Sequence, residues 1–188
     1  MHSIGNDIVD LNLAKVESNW QRKGFLEKQF TKTEQEEIHT SEDPFFKVWL
    51  FWSMKEAAYK CYTQSVKKRF FAPKQFECSL LSWNQGVVVF KEIKFYTSSS
   101  FDALCLHTIA SEAQEEIKLF SSVLATEELN RAVKERLAAL TGIAAEEIEK
   151  RKTEVGAPLF YHKKKRLTKA CSLSHHGIYG AYLFCLQN

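Results

Sequence analysis

No stretch of this 188-residue sequence approaches the roughly 20 consecutive apolar residues that a membrane helix needs, so no membrane partner is expected. The opening residues Met1-His2-Ser3-Ile4-Gly5 lack the basic-then-apolar pattern of a secretory leader. The five cysteines, Cys61, Cys78, Cys105, Cys171 and Cys185, contain no Cys-x-x-Cys pair. An odd number without metal spacing and without a leader points to a reduced, cytoplasmic protein. Low-complexity segments are absent too. What is present is 45% hydrophobic and 13% aromatic, a composition that packs a core rather than staying disordered. The length suits one domain or two small ones. A net charge of +3 suits an acidic or phosphorylated partner without demanding nucleic acid.

The clearest local signal is a helix over roughly residues 44–64. Asp43 can cap it and Pro44 fits its first position. Phe45, Val48, Trp49, Trp52 and Tyr59 then recur at helical spacing. Lys55, Glu56 and Lys60 form a charged group inside that pattern. Glu56 and Lys60 stand one turn apart, and the simplest reading of them is an i,i+4 surface ion pair. Upstream, Ile4-Gly5-Asn6-Asp7-Ile8-Val9-Asp10-Leu11 reads as a short buried strand carrying a carboxylate; the competing reading is a turn aspartate that satisfies its own backbone.

Residues 17–41 read as polar and partly helical, with Thr33-Glu34-Gln35-Glu36 in the form of a capping box. Lys67-Lys68-Arg69 is a basic cluster, either solvated or attractive to phosphate. Phe76–Leu81, Val87–Tyr96 and Ala103–Ala110 read as an antiparallel meander, with turns at Asn84-Gln85-Gly86 and Thr97-Ser98-Ser99-Ser100. Gln114–Phe120 is a further strand candidate, and His107, among apolar neighbours, reads as a structural histidine. A second helix is expected from a Thr126 cap to Leu140, stopped by Gly142. Gly156-Ala157-Pro158 is a turn, and His162-Lys163-Lys164-Lys165-Arg166 is the most basic patch. Ile178–Leu186 reads as a buried strand. Ser174-His175, just before it, offers a hydroxyl and an imidazole that could donate to phosphate.

Gly5-Asn6-Asp7, Trp52-Ser53-Met54-Lys55-Glu56-Ala57-Ala58-Tyr59-Lys60 and Ser172-Leu173-Ser174-His175 together resemble the signature set of the 4′-phosphopantetheinyl transferases: G-x-D, W/F-x-x-K-E-A/S-x-x-K and S-x-S-H. The resemblance implies transfer of the phosphopantetheine arm of coenzyme A to a serine of an apo acyl or peptidyl carrier protein, with 3′,5′-ADP leaving. It implies Mg²⁺ held by Asp7 and Glu56, a phosphate-facing Lys60, and Ser174 and His175 at the nucleotide end of coenzyme A. The serine proton would go to Glu56 or to a metal-bound water. Two positions depart from the pattern. Val9 stands where larger members often have a third carboxylate; the Ile8-Val9-Asp10 continuation looks more like the small holo-acyl-carrier-protein synthases, in which fewer side chains hold the metal, so water is expected as the third ligand. Ala157 stands where the family often has the lysine of a G-K-P turn, and the Lys163–Arg166 patch is a candidate source of that charge.

The implied fold is α+β, built of two similar halves. Small family members are trimers with sites between subunits, and larger ones are monomers of two halves. Here the half with Gly-x-Asp and the Lys-Glu-Ala helix, residues 1–120, precedes the half with Gly-Ala-Pro and Ser-His, residues 121–188, the reverse of the usual order. A monomeric pseudo-dimer in permuted order is therefore expected; the alternative is a trimer of the small type with a long insertion at 76–150. Two functional alternatives accompany the transferase: a catalytically idle relative that binds coenzyme A or a carrier protein, and a small basic nucleic-acid-binding protein. The retained Asp7, Glu56 and Lys60 argue against the first, and the lack of any nucleic-acid motif against the second.

Overall fold

The computed structural model describes residues 3–70, 72–112 and 118–187. Strand β1 (Ile4–Asp10) is buried along its whole length. A carboxylate at its centre is thus no turn aspartate, and a strand buried on both sides needs a cover for each. One cover is helix α4 (Pro44–Val66), capped as expected: the Asp43 carboxylate accepts the Phe46 N–H and Pro44 opens the first turn. Before it come α1 (Leu11–Glu17), α2 (Phe25–Gln29) and α3 (Lys32–Thr40). The capping box of α3 lies two residues earlier than the sequence suggests. Thr31 and Glu34 exchange the side-chain-to-backbone bonds, because Glu34 is drawn inward to Lys55.

Strands β2 (Glu77–Leu80), β3 (Gln85–Phe90), β4 (Ile93–Phe101) and β5 (Cys105–Ser111) complete an antiparallel sheet in the order β1-β5-β4-β3-β2. The expected strand Val87–Tyr96 is in fact two. Lys91 and Glu92, at φ 49° and 67°, form the two-residue hairpin between Phe90 and Ile93. The expected turn Thr97–Ser100 runs inside β4, where the buried Ser99 hydroxyl bonds Thr108 Oγ1 across the sheet at 2.9 Å. Small hydroxyl residues satisfied cross-strand behave as strand, not loop.

The later residues form β6 (Phe120–Ala125), α5 (Leu129–Thr141), β7 (Ile148–Lys152), β8 (Pro158–His162), β9 (Lys165–Arg166), β10 (Thr168–His176) and β11 (Tyr179–Leu186). They make two sheets, β10-β11-β6 and β7-β8-β9. The strand candidate Gln114–Phe120 lies outside the described residues except at its end, where Phe120 opens β6. Thr126 is not the cap of α5: residues 126–128 form a 3₁₀ turn, and the Thr126 hydroxyl donates to Gly177 O. Gly142, at φ 73°, ends the helix as expected.

Each set of elements has its own core. Phe51, Met54, Ala57 and Cys61 of α4 meet Val88, Phe95 and Leu106 of the first sheet, and Val133 and Leu137 of α5 meet Phe160 and Phe184. A small third cluster, Ile4 with Ala170, Leu183 and Cys185, joins them where β1 lies beside β10 and β11.

The approach of α4 to β1 depends on Gly5. A methyl placed there would stand 1.9 Å from Ala57 O and 2.7 Å from Cys61 N. Both are helix backbone atoms and cannot rotate away. Gly5→Ala is expected to cost about 3 kcal/mol or more by forcing helix and strand apart, read as a lower midpoint in denaturant unfolding. A loss under about 1 kcal/mol would show that the contact yields easily.

Candidate active site

The close approach at Gly5 sets the chemistry two residues on. Asp7 shares the α4-facing side of β1 with Gly5, by the period of two along a strand. Lys60 Nζ donates to Asp7 Oδ1 at 2.7 Å and to Asn6 O at 3.0 Å. Its partner is therefore the strand aspartate, not Glu56 as the local ion-pair reading has it. Glu56, one turn earlier, is left without that salt bridge. Burial, then the negative charge of Asp7, pushes its proton affinity up to about 7, against the opposing pull of Lys60. Asp7 and Glu56 border one cavity in a partly buried place, and a divalent cation is what relieves two such carboxylates. Among the described residues no group of three or more His, Cys, Asp or Glu is placed to hold a metal. Asp7 and Glu56 alone suit a hard cation that keeps waters and substrate oxygens in its shell.

The Ser-x-Ser-His stretch splits its side chains between two jobs. The Asn6 N–H donates to Ser172 Oγ at 3.0 Å, and the Asp10 N–H to His176 Nδ1 at 2.9 Å. Alternate residues of β10 thus cover the edge of β1 that β5 leaves free. The same period sets Ser174 midway, and its Oγ is buried with no hydrogen-bond partner among the described residues. His175 points the other way and borders a cavity of about 390 Å³ with Asp7, Glu56, Trp49 and Trp52. On the other side of Asp7, Lys60 borders a cavity of about 260 Å³ with Thr63, Gln64, Arg69 and Ser172. The structure thus brings Asp7, Glu56, Lys60 and His175 to one place, with Ser174 in the seam beside it.

His107 is the buried structural histidine expected. Burial holds its proton affinity down to about 4, and its neutral Nε2 accepts from Asn6 Nδ2 at 3.2 Å. Lys55, next to Glu56 in sequence, turns into the core instead of the site. Its ammonium donates to both Glu34 carboxylate oxygens at 2.8 Å, with both residues 1% exposed. Sequence reasoning missed this pair, and also Ser172 and His176 as site residues. The alternation Ser172-x-Ser174-x-His176 was a usable signal for the seam. Arg69 lies in the Lys67-Lys68-Arg69 cluster, for which solvation and attraction to phosphate were both open readings, and no local signal marks the pairing of Lys55 with Glu34.

A model of the 4′-phosphopantetheinyl transferase superfamily matches residues 3–108, more than half of the chain. The matched span holds Gly5, Asp7, Glu56 and Lys60; Ala157, Ser174 and His175 lie beyond it. No curated protein matches the chain.

The raised proton affinity of Glu56 makes stability depend on pH. The folded state holds this proton more tightly than the unfolded chain, whose glutamate titrates at 4.5. Ionisation therefore opposes folding: the penalty is absent below about pH 4.5, grows with rising pH and is complete above about 7. In the presence of a chelator, Glu56→Gln is expected to melt a few degrees above wild type at pH 8 and level with it at pH 4.5. Thermal melts at the two pH values check this, and equal melting at pH 8 would refute the raised affinity.

Proposed function

The chain belongs to the 4′-phosphopantetheinyl transferase superfamily, and we propose that it moves the 4′-phosphopantetheine group from coenzyme A to a serine of an apo acyl or peptidyl carrier protein, with Mg²⁺. The observation that carries this reading is the Lys60–Asp7 bond, which joins the two best-marked motifs and leaves Glu56 beside them with a proton affinity near neutral. Asp7 and Glu56 are the residues that would hold Mg²⁺. Bound there, it would offset the charge of the pyrophosphate and polarise it. Glu56 is suited to accept the proton of the carrier serine. The serine oxygen forms a bond to the phosphorus that carries pantetheine. The P–O bond to the nucleotide breaks, and 3′,5′-ADP leaves with the electron pair. Lys60 stands where its charge can meet the leaving phosphate. His175 borders the same cavity as Asp7, which supports its assignment to the coenzyme A site. Ser174, set in the seam, is assigned to the nucleotide end with it.

The deciding measurement is the mass of an apo carrier protein after incubation with this protein, coenzyme A and Mg²⁺. A gain of one phosphopantetheine group is expected. Asp7→Ala and Glu56→Ala are expected to abolish it while staying folded, and to lose the Mg²⁺-induced rise in melting temperature. Lys60→Ala is expected to slow it about a hundredfold or more, on the order of 3 kcal/mol in the barrier. Coenzyme A binding without any change in carrier mass would identify an idle relative instead.

We also propose that residues 1–120 and 121–188 are two similar halves in permuted order. What supports this is a shared path. β1-α4-…-β4-β5 and β6-α5-…-β10-β11 each run strand, long helix and then two strands, and each sheet sets its last strand between the first and the penultimate. Two halves in one chain complete a site without a second copy, so light scattering at micromolar concentration is expected to give a monomer. A stable trimer would overturn the pseudo-dimer.

A further inference from the structure

The segment after α4 carries a side chain that the mechanism above does not use. Lys67 closes α4 in the left-handed region at φ 53°, and the chain turns toward the loop before β8. There Arg69 donates through Nε and Nη2 to Val155 O, at 2.8 and 2.6 Å. Gly156 beneath it has φ +80°, and a methyl on it would meet Arg69 Nη2 at 2.2 Å. A side chain at 156 would thus be both strained and in the way, and the bare backbone is the seat of the guanidinium.

That guanidinium borders the cavity of about 260 Å³ that also holds Lys60. No carboxylate borders this cavity, and none pairs with Arg69 among the described residues. Lys60 is already paired with Asp7. The uncompensated charge in this part of the cleft is therefore that of Arg69. Its tether uses two of five N–H donors and leaves three in a fixed fork, the geometry that receives phosphate. A second cavity of about 320 Å³ shares Gln64, Val155 and Ala157 with the first and carries Lys67, Arg166 and Lys169 together with one carboxylate, Glu154. Of the Lys163–Arg166 patch, Lys163, Lys164 and Lys165 are exposed and border neither cavity, while Arg166 borders the second one, with its guanidinium tethered to the carbonyls of Thr168 and Lys169.

Resting on the transferase reading, we propose that Arg69 binds a phosphate of the nucleotide half of coenzyme A, supplied from the helix-bearing part of the chain to a turn that has Ala157 and no cation of its own. Arg69 then sets affinity for the nucleotide and not the rate of the transfer.

The test is calorimetric titration with 3′,5′-ADP, which needs no carrier protein. Arg69→Gln is expected to weaken binding at least tenfold and to raise KM for coenzyme A similarly, with kcat within threefold of wild type. Ala157 borders both cavities, so adding Ala157→Lys to that variant should restore most of the binding, although it cannot rebuild the tether to Val155 O. A merely structural Arg69 would not be rescued this way. If Arg69→Gln folds poorly, the wild-type protein still decides: 3′,5′-ADP should protect Arg69 from an arginine-directed dicarbonyl reagent, read by peptide mass. Unchanged affinity in a folded Arg69→Gln, lack of rescue, or an unprotected Arg69 overturns the assignment. Each of these leaves the transferase reading standing, which fails only if wild-type protein leaves the carrier mass unchanged.

Discussion

The contact between α4 and β1 at Gly5 is the constraint on which the rest depends. With no side chain at that point, the carbonyl of Ala57 occupies the space a Cβ would fill. The helix then lies so low on the strand that two of its side chains reach strand backbone or strand carboxylate. Lys60 meets Asp7 and Asn6 O, and Gln64 Nε2 donates to Ile4 O at 2.8 Å and to Cys171 O at 3.3 Å. Glu56 comes to rest near enough to Asp7 to feel its charge. One glycine thus sets the spacing of the two motifs and ties the helix across to β10.

The rotation of α4 about its own axis is held by charge on its other side. Lys55 and Glu34 are fully buried, and every strong donor and acceptor between them is used: Glu34 also accepts the N–H groups of Thr31 and Cys78, and Lys55 also donates to Phe76 O. Such a pair adds little net stability, since desolvation offsets most of the attraction, but losing one partner strands a buried charge. Any rotation of the helix would do the same. Lys55 and Glu56, adjacent in sequence, are thereby kept in opposite environments, one in the core and one at the cavity.

The seam between the two sets of elements is built from side chains rather than from a continuous ladder. Ser172 and His176 take the N–H groups that β1 would otherwise leave unpaired at its free edge, and Ile4 packs on Ala170, Leu183 and Cys185. The Asp7 region sits on this seam with a cavity on each side. One is walled by Trp49 and Trp52 and carries the carboxylates; the other carries Lys60 and Arg69.

By itself the sequence determined what local rules decide. The cap and period of α4, the stop at Gly142, a buried strand around Gly-x-Asp and the motif set that resembles this family were all legible there, because each rests on residues a few positions apart. Tertiary structure alone decided the partners. Lys60 had a carboxylate one turn away and took one 53 residues away instead, because β1 lies under the helix and brings Asp7 within 2.7 Å of its ammonium. The Lys91-Glu92 hairpin lacks the usual Asn-Gly chemistry and is held by its strand pairing. Ser174 and His175 are neighbours in the chain, yet one enters the seam and the other the cavity, since a strand alternates its faces. The proton affinity of Glu56 and the seat of Arg69 on Gly156 depend on burial and on chain segments far apart in sequence, and no spacing within a single motif encodes either.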